Sequence, residues 1–178
     1  MVHFPKKDPY IVIANRTVNF KCGNDPGAQI LISLCSGMRI PPDMPGQIVG
    51  MLRKEWNDAD ALTFEDFTKK NADSVRLLDD FSTPWKHGFS ASDPPQSTDK
   101  AASSDMDIYF SRVGFNPAAT EAIVYALTIS RMDRVSTEGD YFLFRLDAEG
   151  WKPHGRLTYM EHRPDQSDWI VVNPDGSK

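Results

Sequence analysis

His154, Glu161 and His162 come nearest, by residue type, to a metal site in this chain. Two imidazoles and a carboxylate can hold zinc and leave one position open for water. The spacing argues against it. On a strand the neighbours Glu161 and His162 point to opposite faces, and Pro164 soon afterwards marks a strand end open to solvent. Solvated surface side chains are the expectation. Cys35 with His87 or His154 would make a thiolate–imidazole pair, but no local signature selects that pairing. Asp105, Asp107, Asp133 and Asp140 would gather where loops meet one end of a sheet, yet a calcium loop needs a denser pattern of Asp, Asn and Gly. The glycine-rich phosphate loops, the Gly-x-Ser-x-Gly elbow and the His-Glu-x-x-His helix do not occur. No cofactor or metal is expected.

The remaining signal is aromatic. Tyr141, Phe142, Phe144, Trp151 and Tyr159 crowd the last third, and Trp85 and Phe89 flank a polar stretch. Strands that bury one face leave alternate aromatics outside, and a cluster of these marks a protein interface. Arg112, between apolar neighbours, needs an acidic partner if it is buried, and Asp66 and Glu121 are the candidates. The contact residues nominated are Trp85, Phe89, Arg112, Tyr141 and Trp151.

Composition limits what such residues can serve. The chain has 178 residues, 40% hydrophobic and 25% charged, which fits one domain with one core. The formal net charge of -5 and the lack of a basic stripe disfavour nucleic acid and fit a basic protein partner. No apolar run approaches the ~20 residues of a membrane-spanning helix. The N-terminus lacks the pattern of a secretory leader, so the cytoplasm is the default compartment, or export if a leader preceded it. Cys22 and Cys35 allow one disulfide or two buried thiols.

The elements that must position these residues follow from periodicity. Tyr10 to Ala14 is a β-branched run that reads as a strand, with Thr17 to Phe20 as its continuation. Ala28 to Met38 is ambiguous between strand and helix. Met44, Ile48, Met51, Leu52 and Trp56 recur every three or four residues, as on one helix face. Thr63 and Asp66 resemble a capping box that opens a second helix over Phe64 to Lys70, with Asn71 as its stop. Ser90 to Ser104, broken by Pro94-Pro95, reads as a loop or insertion. Asp107 to Phe115 reads as one strand, followed by a turn at Asn116-Pro117. In Glu121 to Ser130, Ile123, Tyr125, Leu127 and Ile129 share one face and small residues share the other, as in a central strand covered on both sides. Tyr141 to Leu146, a turn at Asp147 to Gly150, and Trp151 to His162 make a hairpin, with Pro153 marking a sheet edge. Trp169 to Val172 adds a last short strand. The fold class is α+β: an antiparallel meander in the C-terminal half, packed against helices that precede it.

Ser111-Arg112-Val113-Gly114-Phe115-Asn116, Thr120 to Tyr125, Gly139 to Leu143 and Gly150-Trp151-Lys152 together resemble a family of uncharacterised, largely bacterial proteins with an "SRVGFN…TQALVY…GYYLL…GWKV" pattern. Glu121 stands where that pattern has Gln, and the loop after Arg131 lacks its glycines and cysteines. The resemblance implies no activity, and many members of that family are exported. Within these blocks, Gly114 marks a bulge or a close backbone approach.

The expected function is a non-catalytic protein-binding domain, such as an inhibitor or immunity-type partner. The rival is a small-molecule-binding domain or unfamiliar hydrolase with its pocket between sheet and helices. A purely structural module is the third reading.

Overall fold

The computed structural model describes residues 11–14, 17, 44–73, 75–77, 87–89, 105–130, 136–162 and 170–171; the side chains at 44–47, 88–89, 136–137, 160–162 and 170–171 are outside that description. Its described helices are α1, Met44–Glu55, and α2, Ala61–Lys70. The strands are β1 (Ile11–Ile13), β2 (His87–Phe89), β3 (Met106–Phe110), β4 (Gly114–Phe115), β5 (Glu121–Ser130), β6 (Ser136–Asp147), β7 (Gly150–His162) and β8 (Ile170–Val171). They form one sheet in the order β2-β1-β3-β5-β6-β7-β8, with β4 also paired to β5. The class is therefore α+β, with both helices ahead of the six C-terminal strands.

From β5 to β8 each strand pairs antiparallel with the next, which makes a meander. The β6–β7 hairpin closes at Asp147 and Gly150. Gly150 has φ +116°, a conformation that only glycine adopts without strain. Within the run read as a strand, Ile11–Ile13 forms β1, but that strand lies parallel to both β2 and β3, so the sheet is mixed at this edge. Residue 17 is not in a strand, and residues 18–20 lie outside the described residues, as do the ambiguous 28–38 stretch, both cysteines and the 90–104 loop.

Two local readings need correction. Asp107 to Phe115 is not one strand. Pairing with β5 stops after Phe110 and resumes at Gly114, because residues 111–113 bend to meet α2. The reason is spatial: a Cβ on Gly114 would lie 2.4 Å from Phe67 Cβ, so backbone touches helix there. Thr63 is also not the cap of α2. Asp60 is, its carboxylate accepting from the Leu62 N–H at 2.9 Å. Thr63 lies one turn inside and is fully buried. Asn71 does end the helix.

The core lies between the two helices and one face of the sheet. The apolar stripe of α1 presents Ile48 and Leu52, with Trp56 just beyond its end, and α2 adds Phe64 and Phe67. They meet Ile123, Tyr125 and Leu127 of β5, Tyr141 and Leu143 of β6, and Leu157 of β7. Tyr141 packs against Tyr125, with ring centroids 4.8 Å apart, and edge-on to Phe67 and Tyr159. Fully burying each of these side chains contributes on the order of 1.5–3 kcal/mol. This inner face is filled.

Candidate functional site

The charged residues nearest the helices act as joints. Glu121, at the start of β5, is only 6% exposed. Its Oε1 accepts from the Asp60 N–H and the Thr63 hydroxyl, both at 2.8 Å, and its Oε2 pairs with Arg145 Nε at 3.2 Å. Arg145 also grips Asp58 in the turn between the helices, at 3.0 Å. The bond from Arg145 holds the Asp58 carboxyl below its ordinary range, and Asp58 in turn raises the Arg145 guanidinium. One carboxylate and one guanidinium thus tie the α1–α2 turn to the sheet.

Arg112 does not find either expected acid. Glu121 is taken by Arg145, and Asp66 accepts from the Phe115 N–H at 2.8 Å and pairs with Lys70 at 2.7 Å. Arg112 instead donates through Nη1 to the Lys70 carbonyl at 3.0 Å. Its backbone is clamped by Asn71, whose Oδ1 accepts from the Arg112 N–H and whose Nδ2 donates to the Arg112 carbonyl. Partial burial is compatible with this, because a helix-end carbonyl carries partial negative charge. Among the described residues no carboxylate pairs with Arg112.

The outer sheet face follows from the register, since directly paired residues share a side. Ala122, Val124 and Ala126 point away from the helices. Their partners Phe115, Phe110, Phe142, Phe144 and Asp140 therefore do too. Continuing along β6 and across the hairpin adds Leu146 and Trp151. Trp151 is 44% exposed, Leu146 41% and Phe115 36%. Phe115 and Trp151 touch edge to face, with centroids 5.9 Å apart, and Lys70 Nζ lies 5.2 Å from the Phe115 ring. The same face has a polar end. Arg156 bridges Asp140, at 2.8 Å, and Glu138, and Thr158 donates to Asp140 at 2.7 Å. Asp140 raises the Arg156 guanidinium further above its usual range.

At the β3–β4 side, a groove of about 520 Å³ opens on this outer face. Phe110, Val113, Phe115 and Val124 line it from the sheet, and Val75 and Leu77 from the segment after α2. Lys70, Arg112, Ser111 and Thr17 complete the wall.

The nominated contact residues separate. Trp151 lies on the exposed patch and Arg112 at the groove. Tyr141 is 1% exposed and belongs to the core. Trp85 and the Phe89 side chain lie outside the described residues. Phe115 and Leu146, not among the nominated residues, belong to the patch, and Phe115 also lines the groove. Their only signal was alternation, and for Phe115 it was hidden by the break at 111–113. His154 lies 3.6 Å from Asp58 on the surface, while the Glu161 and His162 side chains are outside the described residues. No grouping of three His, Cys, Asp or Glu side chains converges among the described residues. Glu121 with Arg145, Asp140 and Glu138 with Arg156, and Asp147 and Glu149 with Lys152 are engaged in ion pairs. Among the described residues no helix is long and apolar enough to cross a membrane. No protein-family model, curated protein or solved structure matches the chain.

Proposed function

We propose that this chain is a non-catalytic protein-binding domain, of inhibitor or immunity type, that engages a basic protein partner through its outer sheet face. The observation that carries the reading is the exposed cluster of Phe115, Leu146 and Trp151, beside half-buried Phe142 and Phe144. Rigid aromatics on a strand scaffold lose little entropy on docking, and Trp is enriched among residues that dominate binding energy. The net charge of -5 favours a basic partner through long-range steering. Against a pocket between sheet and helices, Leu52, Trp56, Phe64 and Phe67 pack onto the sheet among the described residues.

The test is affinity capture from the native host with three baits: the wild-type chain, Trp151→Ser, and Leu62→Ser as a control for an exposed leucine on the helical side. One basic protein should be retained by the wild type and the control and lost from Trp151→Ser. The purified pair should form a complex weakened roughly tenfold or more by that change. Equal capture by all three baits, or substrate turnover by the purified chain with no macromolecular partner recovered, would overturn the reading.

A further inference from the structure

We infer that the groove beside Arg112 is a binding site for a small amphipathic monocarboxylate, an aliphatic chain of medium length ending in a carboxylate. The inference does not depend on the protein partner.

Three observations carry it. The groove, open to solvent, offers about 520 Å³, within the range of pockets that hold small ligands, and its apolar walls include Phe110, Val113, Val124, Val75 and Leu77. Such walls take a hydrocarbon tail and offer a peptide backbone nothing to bond. The hydroxyls that line the groove are already engaged. Ser111 Oγ donates to the Arg112 carbonyl and accepts from the Tyr125 N–H, and Thr17 Oγ1 accepts from the Val75 N–H at 2.9 Å. A tail is therefore favoured over a chain terminus of another protein.

The charge at the groove is the third observation. Lys70 and Arg112 both line it and both are partly exposed. Lys70 is neutralised by Asp66 at 2.7 Å. Arg112 has no carboxylate among the described residues and uses one N–H on the Lys70 carbonyl. The three groups sum to a single positive charge, and it resides on a guanidinium with donors to spare. A planar fork of this kind matches a carboxylate. One cation selects one anionic headgroup, and an apolar trough selects what is attached to it.

The probes are straight-chain saturated carboxylates from butanoate to dodecanoate, with decanol as an uncharged analogue of decanoate. They are titrated into the full chain by calorimetry and two-dimensional amide NMR. Decanoate should saturate one site below about 1 mM, with affinity rising roughly three- to fourfold per added methylene until the groove is full. Decanol should bind more weakly by about tenfold. Arg112→Gln should weaken decanoate by about tenfold and decanol by less than about twofold. Decanoate should shift the amides of 110–115 and 124 in the wild type, and Val124→Phe, which fills the trough, should abolish binding of both probes and with it those shifts. Arg112→Gln alters a partly exposed side chain and keeps the test valid if Val124→Phe fails to fold. The inference fails if wild-type chain shows no saturable decanoate binding, if decanoate and decanol bind alike, or if Arg112→Gln weakens both equally. It also fails if a folded Val124→Phe binds decanoate as the wild type does.

Discussion

The two faces of the sheet are made by the same strands yet differ in kind. The inner face carries Ile123, Leu127, Tyr141 and Leu143, each at or below 1% exposed, locked under two helices. The outer face carries apolar side chains just as large, but Phe115, Leu146 and Trp151 keep more than a third of their surface in water. Adjacent residues of β6, such as Leu143 and Phe144, are sent to opposite fates by the two-residue period alone. Apolar content thus says that a strand is there. Only the placement of the helices decides which half of its side chains is core and which is available for contact. A face that keeps its apolar side chains partly in water contributes less to folding than the buried one.

A matched pair on one strand tests this contrast with the largest expected effect. Leu143→Ala removes a fully buried side chain and should cost about 3 kcal/mol in denaturant unfolding. Leu146→Ala, the same chemistry three residues on, should cost less than about 0.5 kcal/mol. If the two losses were equal, the faces would not differ and the outer surface would be covered. Next in size is the joint that holds the helices on the inner side. Glu121→Ala leaves the Asp60 N–H, the buried Thr63 hydroxyl and one side of Arg145 without their acceptor, and should cost about 2–3 kcal/mol. Glu121→Gln keeps an oxygen for the two hydrogen bonds but not the charge opposite Arg145, so about half that loss is expected. A Gln variant as unstable as Ala would locate the effect in the ion pair rather than in the hydrogen bonds.

Much of the scaffold was legible in the residues. The stripe Ile48, Leu52, Trp56 announced a helix, and alternation in Glu121 to Ser130 announced a strand with one buried face, because in both cases burial is periodic along the chain itself; the covering of its second face is not found, since Val124 and Ala126 are only half-buried. The Asp147 to Gly150 turn was legible because it needs a residue tolerant of positive φ. The candidate site was not legible in the same way. Arg112 finds its acceptor 42 residues back, at a helix-end carbonyl that carries no side-chain signature. Glu121 pairs with Arg145, directly across the β5–β6 ladder, a relation fixed by register rather than by spacing. Asp60 displaced Thr63 as cap because Thr63 is drawn into the core by Glu121, so a tertiary contact overrode a local motif. Phe115 is hidden in a run that alternates like one strand over 107–115, which the approach of Gly114 to Phe67 breaks.

The smallest expected effect lies where the two faces meet, at Asp66. Burial would raise this carboxyl, but the Lys70 ammonium and the Phe115 N–H outweigh it and hold the group below its ordinary value of 3.8. A carboxyl depressed on folding adds stability that is fully present above its unfolded value and is lost as pH falls through the folded one. The wild type should therefore lose a small increment of stability below about pH 4 that Asp66→Asn never possesses. Above that range Asp66→Asn should be less stable by no more than about 0.5 kcal/mol, since the pair with Lys70 is partly exposed and solvent-screened. Because Asn can still accept from the Phe115 N–H, the outer patch should persist, and the variant should bind the Trp151-dependent partner nearly as well as wild type. Thermal unfolding from pH 2.5 to 7 reads the first effect and complex formation at neutral pH reads the second. A variant as pH-sensitive as the wild type would remove Asp66 as the source of that increment, and a large loss of partner binding would mean that the Lys70–Asp66 pair belongs to the contact face rather than to its support.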